Sequence, residues 1–319
     1  MHLFAVFIAL LCMSVNCQAF RDEPEYVDYS EITDLENAYT LDKLINGTDE
    51  NFISSSNGTD HETFPKWPVN NTNSNNTNEG RILGGTAATL GQFPYFVYVL
   101  GTKADGTTTI SCGGALLSES WVLTAAQCVA QAASILVYAG AIAPPATGDT
   151  TGKAGQAIIH PYYRSNFVIH DVALVRLFIA FTLSGTISPI RLSKNSASID
   201  NVSVRTMGMG TADDTTGAGT ALNYVDLKNI PRATCNIATD TAYVTYPPTA
   251  GCLDPEGTTK NFCLGDRGAP VVYNFDTGLV VIGITSQLQG CVSNAYPSSY
   301  TKILPYLGWI REKTKKNFT

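Results

Sequence analysis

Charge is scarce in this chain. Asp, Glu, Lys and Arg together make up 15% of its 319 residues, against about a quarter in an ordinary soluble domain. A soluble surface must therefore take its polarity from Ser, Thr, Asn and Gly. The 20 basic residues are outnumbered by 27 acidic ones, for a net charge of −7, and no Lys/Arg stripe offsets that balance. A nucleic-acid-binding surface is excluded. Long apolar runs are also missing: LFAVFIALLCM at 3–13 falls well short of the roughly 20 helical residues that span a bilayer. There are four histidines and neither an HExxH nor a CxxC spacing, so nothing points to a zinc site, and no cofactor is expected. Collagenous, coiled-coil and disulfide-only miniprotein classes are excluded by composition and length.

What is present falls into three parts. The apolar run at 3–13, followed by small and polar residues, reads as a secretory signal peptide over 1–17, an uncleaved anchor being the other reading. Cleavage after Cys17 leaves Val15 and Cys17 at the two small-residue positions. Residues 18–81 hold thirteen Asp/Glu, four Lys/Arg and no cysteine, and end in the polar, low-complexity NNTNSNNTNEG. Such a segment cannot bury enough apolar area to offset its ordering entropy, so it is expected to be disordered. Sequons at Asn46, Asn57, Asn70 and Asn75 would carry glycans. Tyr26 and Tyr29, set among carboxylates in EPEYVDYSE, are candidates for sulfation or for docking on a basic patch.

From Ile82 the texture changes. Residues 82–319 hold sixteen Lys/Arg and fourteen Asp/Glu. Short β-branched and aromatic runs such as YFVYVL, SILVYAG, DVALVRL and LVVIGITS alternate with Gly, Pro, Asn and Asp clusters, an antiparallel all-β pattern. TKILPYLGWIREK (301–313) reads as a helix, with Ile303, Leu307 and Ile310 on one face and Pro305 confining the regular part to the residues after it. Once Cys12 and Cys17 leave with the signal, six cysteines remain: Cys112, Cys128, Cys235, Cys252, Cys263 and Cys291. An even set in an oxidising compartment reads as three bridges, with fifteen pairings open.

Four segments then carry a resemblance. They are Arg81-Ile82-Leu83-Gly84-Gly85, SCGGALL followed by WVLTAAQC (111–128), Asp171-Val172-Ala173-Leu174, and Cys263-Leu264-Gly265-Asp266-Arg267-Gly268-Ala269-Pro270. In order, spacing and cysteines they resemble the activation junction, histidine segment, aspartate segment and nucleophile loop of trypsin- and chymotrypsin-like serine proteases. The resemblance covers 82–319. It implies two packed six-stranded antiparallel β-barrels with a C-terminal helix, and the pairing Cys112–Cys128, Cys235–Cys252 and Cys263–Cys291. It places Asn261 at the bottom of the specificity pocket. It also puts Gln287 and Leu288 in the segment that pairs with substrate, and Ser298 where the family keeps a pocket glycine.

The residues at the reacting positions depart from that family. Acyl transfer by this route needs a hydroxyl nucleophile, an imidazole to take its proton and a carboxylate to orient the imidazole. Gln127 stands at the histidine position and Arg267 at the nucleophile position; Asp171 alone is retained. An amide does not exchange a proton near neutral pH, and a guanidinium is permanently protonated. His160 and His170 are the only histidines of the domain. His170, directly before Asp171 in an extended chain, is expected to point away from the cleft. The expectation is therefore that the chain is not an enzyme. The buried Asp171 carboxylate then needs a new partner, either an ion pair with Arg267 or hydrogen bonds from Gln127.

The activation parts are intact. Cleavage after Arg81 would free an Ile82 ammonium, which in the family pairs with the carboxylate at Asp266. Two further sequons, Asn201 and Asn317, lie in the domain. The loop between Ala139 and Gln156 offers Asp149 as its one carboxylate, which indicates no calcium site. These features predict a secreted, monomeric protease homologue that binds extracellular proteins: proteases, inhibitors or other cascade components. The rivals are an unconventional or weak endopeptidase and a glycan-binding protein on the same scaffold.

Overall fold

The computed structural model describes residue 82 and residues 84–166, 168–211, 219–238, 246–256, 258, 260–286 and 297–319. The signal, the acidic segment with Tyr26, Tyr29 and its sequons, Arg81, Gln287, Leu288 and Cys291 lie outside the described residues.

Two closed barrels account for most of the strands. The first contains β2 (Phe96–Thr102), β3 (Thr109–Ser118), β4 (Trp121–Thr124), β5 (Ser134–Ala139), β6 (Lys153–Ile159) and β7 (Ala173–Leu177). Its order is β2-β3-β4-β7-β6-β5, with β5 closing on β2 and every pair antiparallel. The second contains β9 (Val202–Gly208), β10 (Asn223–Ile230), β11 (Ala250–Asp254), β12 (Pro270–Phe275), β13 (Gly278–Thr285) and β14 (Ser298–Lys302). It runs β9-β10-β11-β14-β13-β12 and closes through the β12–β9 pairing. Thr86–Ala87 (β1) pairs with β10, and Arg191–Leu192 (β8) runs parallel to β13. Closure removes the unpaired strand edges that an open sheet would expose.

The side-chain period of two is plainest in β10. Val225 and Leu227 face the barrel interior, while Asp226 and Lys228 are only partly covered. Asp226 sits opposite Arg205 of β9 and accepts two hydrogen bonds from its guanidinium at 2.7 Å each. The largest apolar cluster joins Val97, Leu116, Leu123, Leu174 and Val175 of the first barrel to Met207, Val281 and Ile284 of the second. A separate cluster fills the second barrel around Leu253, Phe262, Val271 and Tyr300, and includes Ile82, which is fully buried.

Disulfides Cys112–Cys128 and Cys235–Cys252 form as expected. The first ties β3 to the short helix α1 (Ala126–Val129), and the second ties α2 (Arg232–Ala238) to β11. Cys263 is also disulfide-bonded, its partner lying outside the described residues. The regular C-terminal helix follows Pro305, as the sequence pattern places it, and the first residues of the 301–313 stretch are strand instead. Thr301 pairs with Ile284 and belongs to β14, Pro305 sits in a 3₁₀ turn (Leu304–Tyr306), and α3 covers Leu307–Thr314. Strand pairing wins at its start, and the proline ring sets the boundary.

The barrels meet where the 263–268 loop crosses the middle of β3. Gly113 N–H donates to the Arg267 carbonyl at 2.8 Å, and Gly268 N–H donates to the Thr285 carbonyl at 2.8 Å. Gly268 has φ +79°, and a Cβ there would lie 2.3 Å from Thr124 Oγ1 and 2.6 Å from the Gly113 carbonyl. Backbone strain and overpacking each cost about 1–3 kcal/mol. Gly268→Ala is therefore expected to lower stability by about 3–5 kcal/mol, read from its denaturant midpoint. An unchanged midpoint would show that this crossing has slack.

Candidate functional site

The site lies at the seam of the two barrels, built around the fully buried Asp171. β4 delivers Gln127 into the first turn of α1, where its backbone N–H reaches Asp171 Oδ1 at 2.9 Å. The Gln127 side chain turns back on the same group, and Nε2 donates to Oδ2 at 2.6 Å and to the Ser286 carbonyl at 3.2 Å. Ser286, at the end of β13, donates its hydroxyl to Oδ2 at 2.6 Å. Thr301 of β14 holds the backbone by donating Oγ1 to the Asp171 carbonyl at 3.1 Å. Burial raises the Asp171 carboxyl above its ordinary range; hydrogen bonds from Ser286 and Gln127 and the charge of Arg267 oppose that rise.

The expected Asp171–Arg267 ion pair is not formed. The ion pairs among the described residues lie elsewhere, and three donors already occupy the Asp171 oxygens. A neutral amide and a hydroxyl satisfy a buried carboxylate without bringing a second charge out of water, which is the cheaper arrangement. Arg267 stands close enough for Asp171 and Tyr163 to feel its charge. Its Nε is buried and has no hydrogen-bond partner.

The resemblance places Ser286 at the head of the substrate-pairing segment, but the sequence alone does not reveal its contact with Asp171. Nothing in its spacing to Asp171 marks its hydroxyl as a donor across 115 residues. Of the residues assigned to the pocket, Asn261 and Ser298 are both buried and in contact, Ser298 Oγ donating to Asn261 Oδ1 at 3.1 Å. Asn261 Oδ1 also accepts from Phe262 N–H, leaving Nδ2 buried without an acceptor.

Asp266 is fully buried in the loop beneath Arg267. It accepts from Gly210 N–H at 2.6 Å and Cys263 N–H at 2.8 Å. Burial pushes its carboxyl up to about 7 despite those two donors. Gly210 is fixed by this contact, because a Cβ there would lie 2.3 Å from the Leu264 carbonyl and 2.7 Å from the Asp266 carboxyl carbon.

His170 does lie away from Asp171, but for a different reason than strand alternation. Its φ is +52°, so the backbone is left-handed there rather than extended. The ring stacks on His160, with centroids 5.2 Å apart, and Nδ1 lies 3.0 Å from the Tyr306 hydroxyl. Burial, then the neighbouring His170, depresses His160 to about 4. A histidine whose folded value lies below its unfolded one, near 6.5, contributes stability above pH 6.5 and loses it as pH falls toward 4. His160→Phe should flatten the decline in unfolding midpoint between pH 6.5 and 4 relative to the native chain. An unchanged slope would place the acid sensitivity elsewhere.

Known proteins with similar sequences and folds agree on the class. Trypsin delta of Drosophila melanogaster is 27% identical over 234 residues, covering 73% of this chain and 88% of that protein. Trypsin beta of Drosophila erecta is 27% identical over 235 residues with the same coverage. A solved structure described as an HL collagenase superposes with a TM-score of 0.64 at 28% identity, over 74% of this chain and all of that one. These similarities overturn the expectation that the chain is not an enzyme. Gln127 and Arg267 bear on one chemical route, whereas the class is carried by the whole domain, and the relatives with that domain are named as trypsins. The family model Trypsin matches residues 82–310, and the chain belongs to the trypsin family of serine proteases.

Proposed function

We propose that this chain is a secreted trypsin-family protein that works by binding other extracellular proteins, as a regulator, adaptor or decoy in a proteolytic cascade. The observation that carries this reading is the division of labour at the seam. Asp171 is fully engaged by Gln127 and Ser286, while Arg267 keeps a cation whose Nε has no hydrogen-bond partner. Such an arrangement is suited to holding an anionic group. Secretion is supported by the signal-like N-terminus and by the two complete disulfides. The sequons at Asn201 and Asn317 are exposed, as glycosylation requires.

Processing after Arg81 would release the acidic segment and free the Ile82 ammonium for Asp266, so proteolysis would set the binding surface. Recovery of the chain from its secreted fluid, with N-terminal sequencing and quantification of co-purifying proteins, tests this. A terminus at Ile82 and a protease, inhibitor or zymogen at near-equimolar ratio are expected. Recovery without a stoichiometric partner would overturn the reading. The second reading, an endopeptidase with unconventional residues, is favoured by the trypsin names of its relatives. Turnover of peptide esters that co-purifies with the chain would select it.

A further inference from the structure

Arg267 carries a positive charge that nothing in the described structure neutralises. Its Nε is buried without an acceptor, and no carboxylate among the described residues lies within ion-pair distance. Asp171 senses the charge, but its oxygens are taken by Gln127 and Ser286. Other donors in the same loop are also unmatched. Among the described residues, the backbone N–H groups of Gly265 and Arg267 donate to no carbonyl, and Asn261 Nδ2 is buried without an acceptor. Leaving buried donors such as Arg267 Nε and Asn261 Nδ2 unpaired is costly, and the Gly265 and Arg267 N–H groups stand open beside the guanidinium's loop. A group that supplies acceptors and negative charge removes that cost.

We propose that this loop forms a receptor for a peptide carboxylate, held by the Arg267 guanidinium with the Gly265 and Arg267 N–H groups beside it. A carboxylate has two oxygens and only acceptor sites, and it matches the planar guanidinium fork in a two-point contact. A lysine would offer a point charge without that fork. The proposal deepens the binding reading above and rests on it, because it names the group that a partner presents. A free C-terminus and an Asp or Glu side chain supply the same chemistry.

Titration calorimetry on the full-length secreted chain distinguishes these sources. Three tetrapeptides with otherwise uncharged side chains are compared: one with a free C-terminus, its C-terminal amide, and an amide containing an internal Glu. At least one carboxylate peptide should bind tenfold or more tightly than the plain amide. Arg267→Gln should lose that tenfold, and Arg267→Lys should lie between, with the unfolding midpoint of both variants unchanged or slightly raised. Equal affinity for the amide, or full affinity in Arg267→Gln, would overturn the proposal. So would inorganic phosphate displacing the peptides at equal concentration, which would mark an unselective anion site. If a protein partner binds the native chain and Arg267→Gln equally, the binding reading stands and the carboxylate receptor falls.

Discussion

Cutting the chain after Arg81 is expected to raise its unfolding midpoint at pH 8 by about 6–20 °C, and Asp266→Ala is expected to abolish the gain. Asp266 is fully buried, accepts two backbone N–H groups and has no cation among the described residues. Burial holds its carboxyl near 7, above the unfolded value of 3.8. A folded value raised in this way favours folding below the unfolded value, and that contribution disappears as pH rises through 7. An ammonium released at Ile82 reverses the trend by stabilising the ionised form.

Ile82 is already buried in the cluster that contains Phe262, four residues before Asp266. Breaking a buried pair costs about 3–5 kcal/mol, and each kcal/mol moves a domain of this size by about 2–4 °C. The difference between cut and uncut chains should therefore be smaller at pH 5, where Asp266 of the uncut chain is neutral and carries no buried charge, than at pH 8, where it is ionised without a cation. Scanning calorimetry of both forms across that range checks it. A difference independent of pH would place the ammonium elsewhere.

Gln127→Leu is the second large effect. The leucine is similar in bulk but removes the Nε2 donor to Asp171 Oδ2 and the contact to the Ser286 carbonyl. The buried carboxylate keeps Gln127 N–H and Ser286, two donors instead of three. Losing a donor to a buried charge costs about 2–4 kcal/mol. Because both residues share one network, pairing the change with Asp171→Asn should show a coupling of at least about 1 kcal/mol in a double-mutant cycle. Additive behaviour of Gln127 and Asp171 would mean that their contact does not stabilise the fold.

Much of this architecture is legible in the chain. Short β-branched runs separated by Gly and Asn clusters specify the strands, and Pro305 marks the boundary before the last helix. The 82–319 resemblance supplies the two-barrel ring and the two complete bridges. Side-chain partnerships across long separations are less legible. Ser286 reaches Asp171 over 115 residues, and Gln127 over 44; no local pattern records which oxygen each will meet. The Asp171–Arg267 pair fails because charge complementarity alone does not count the neutral donors that can take the same oxygens. His170 shows the same limit at short range, because its left-handed φ and its stack on His160 depend on packing rather than on strand alternation. The class of the protein is also misread when two positions are weighed against the whole domain.

Stoichiometry is the most direct test of a binding function. Secreted fluid depleted of this chain is supplemented with the purified, cut chain, and the peptide-amide hydrolysis rate of the fluid is followed against the amount added. A binding regulator changes that rate saturably, reaching its plateau near equimolarity with its target and holding it over time. If a small fraction of an equivalent produces the full change given longer incubation, the chain is acting by turnover and the binding account is contradicted.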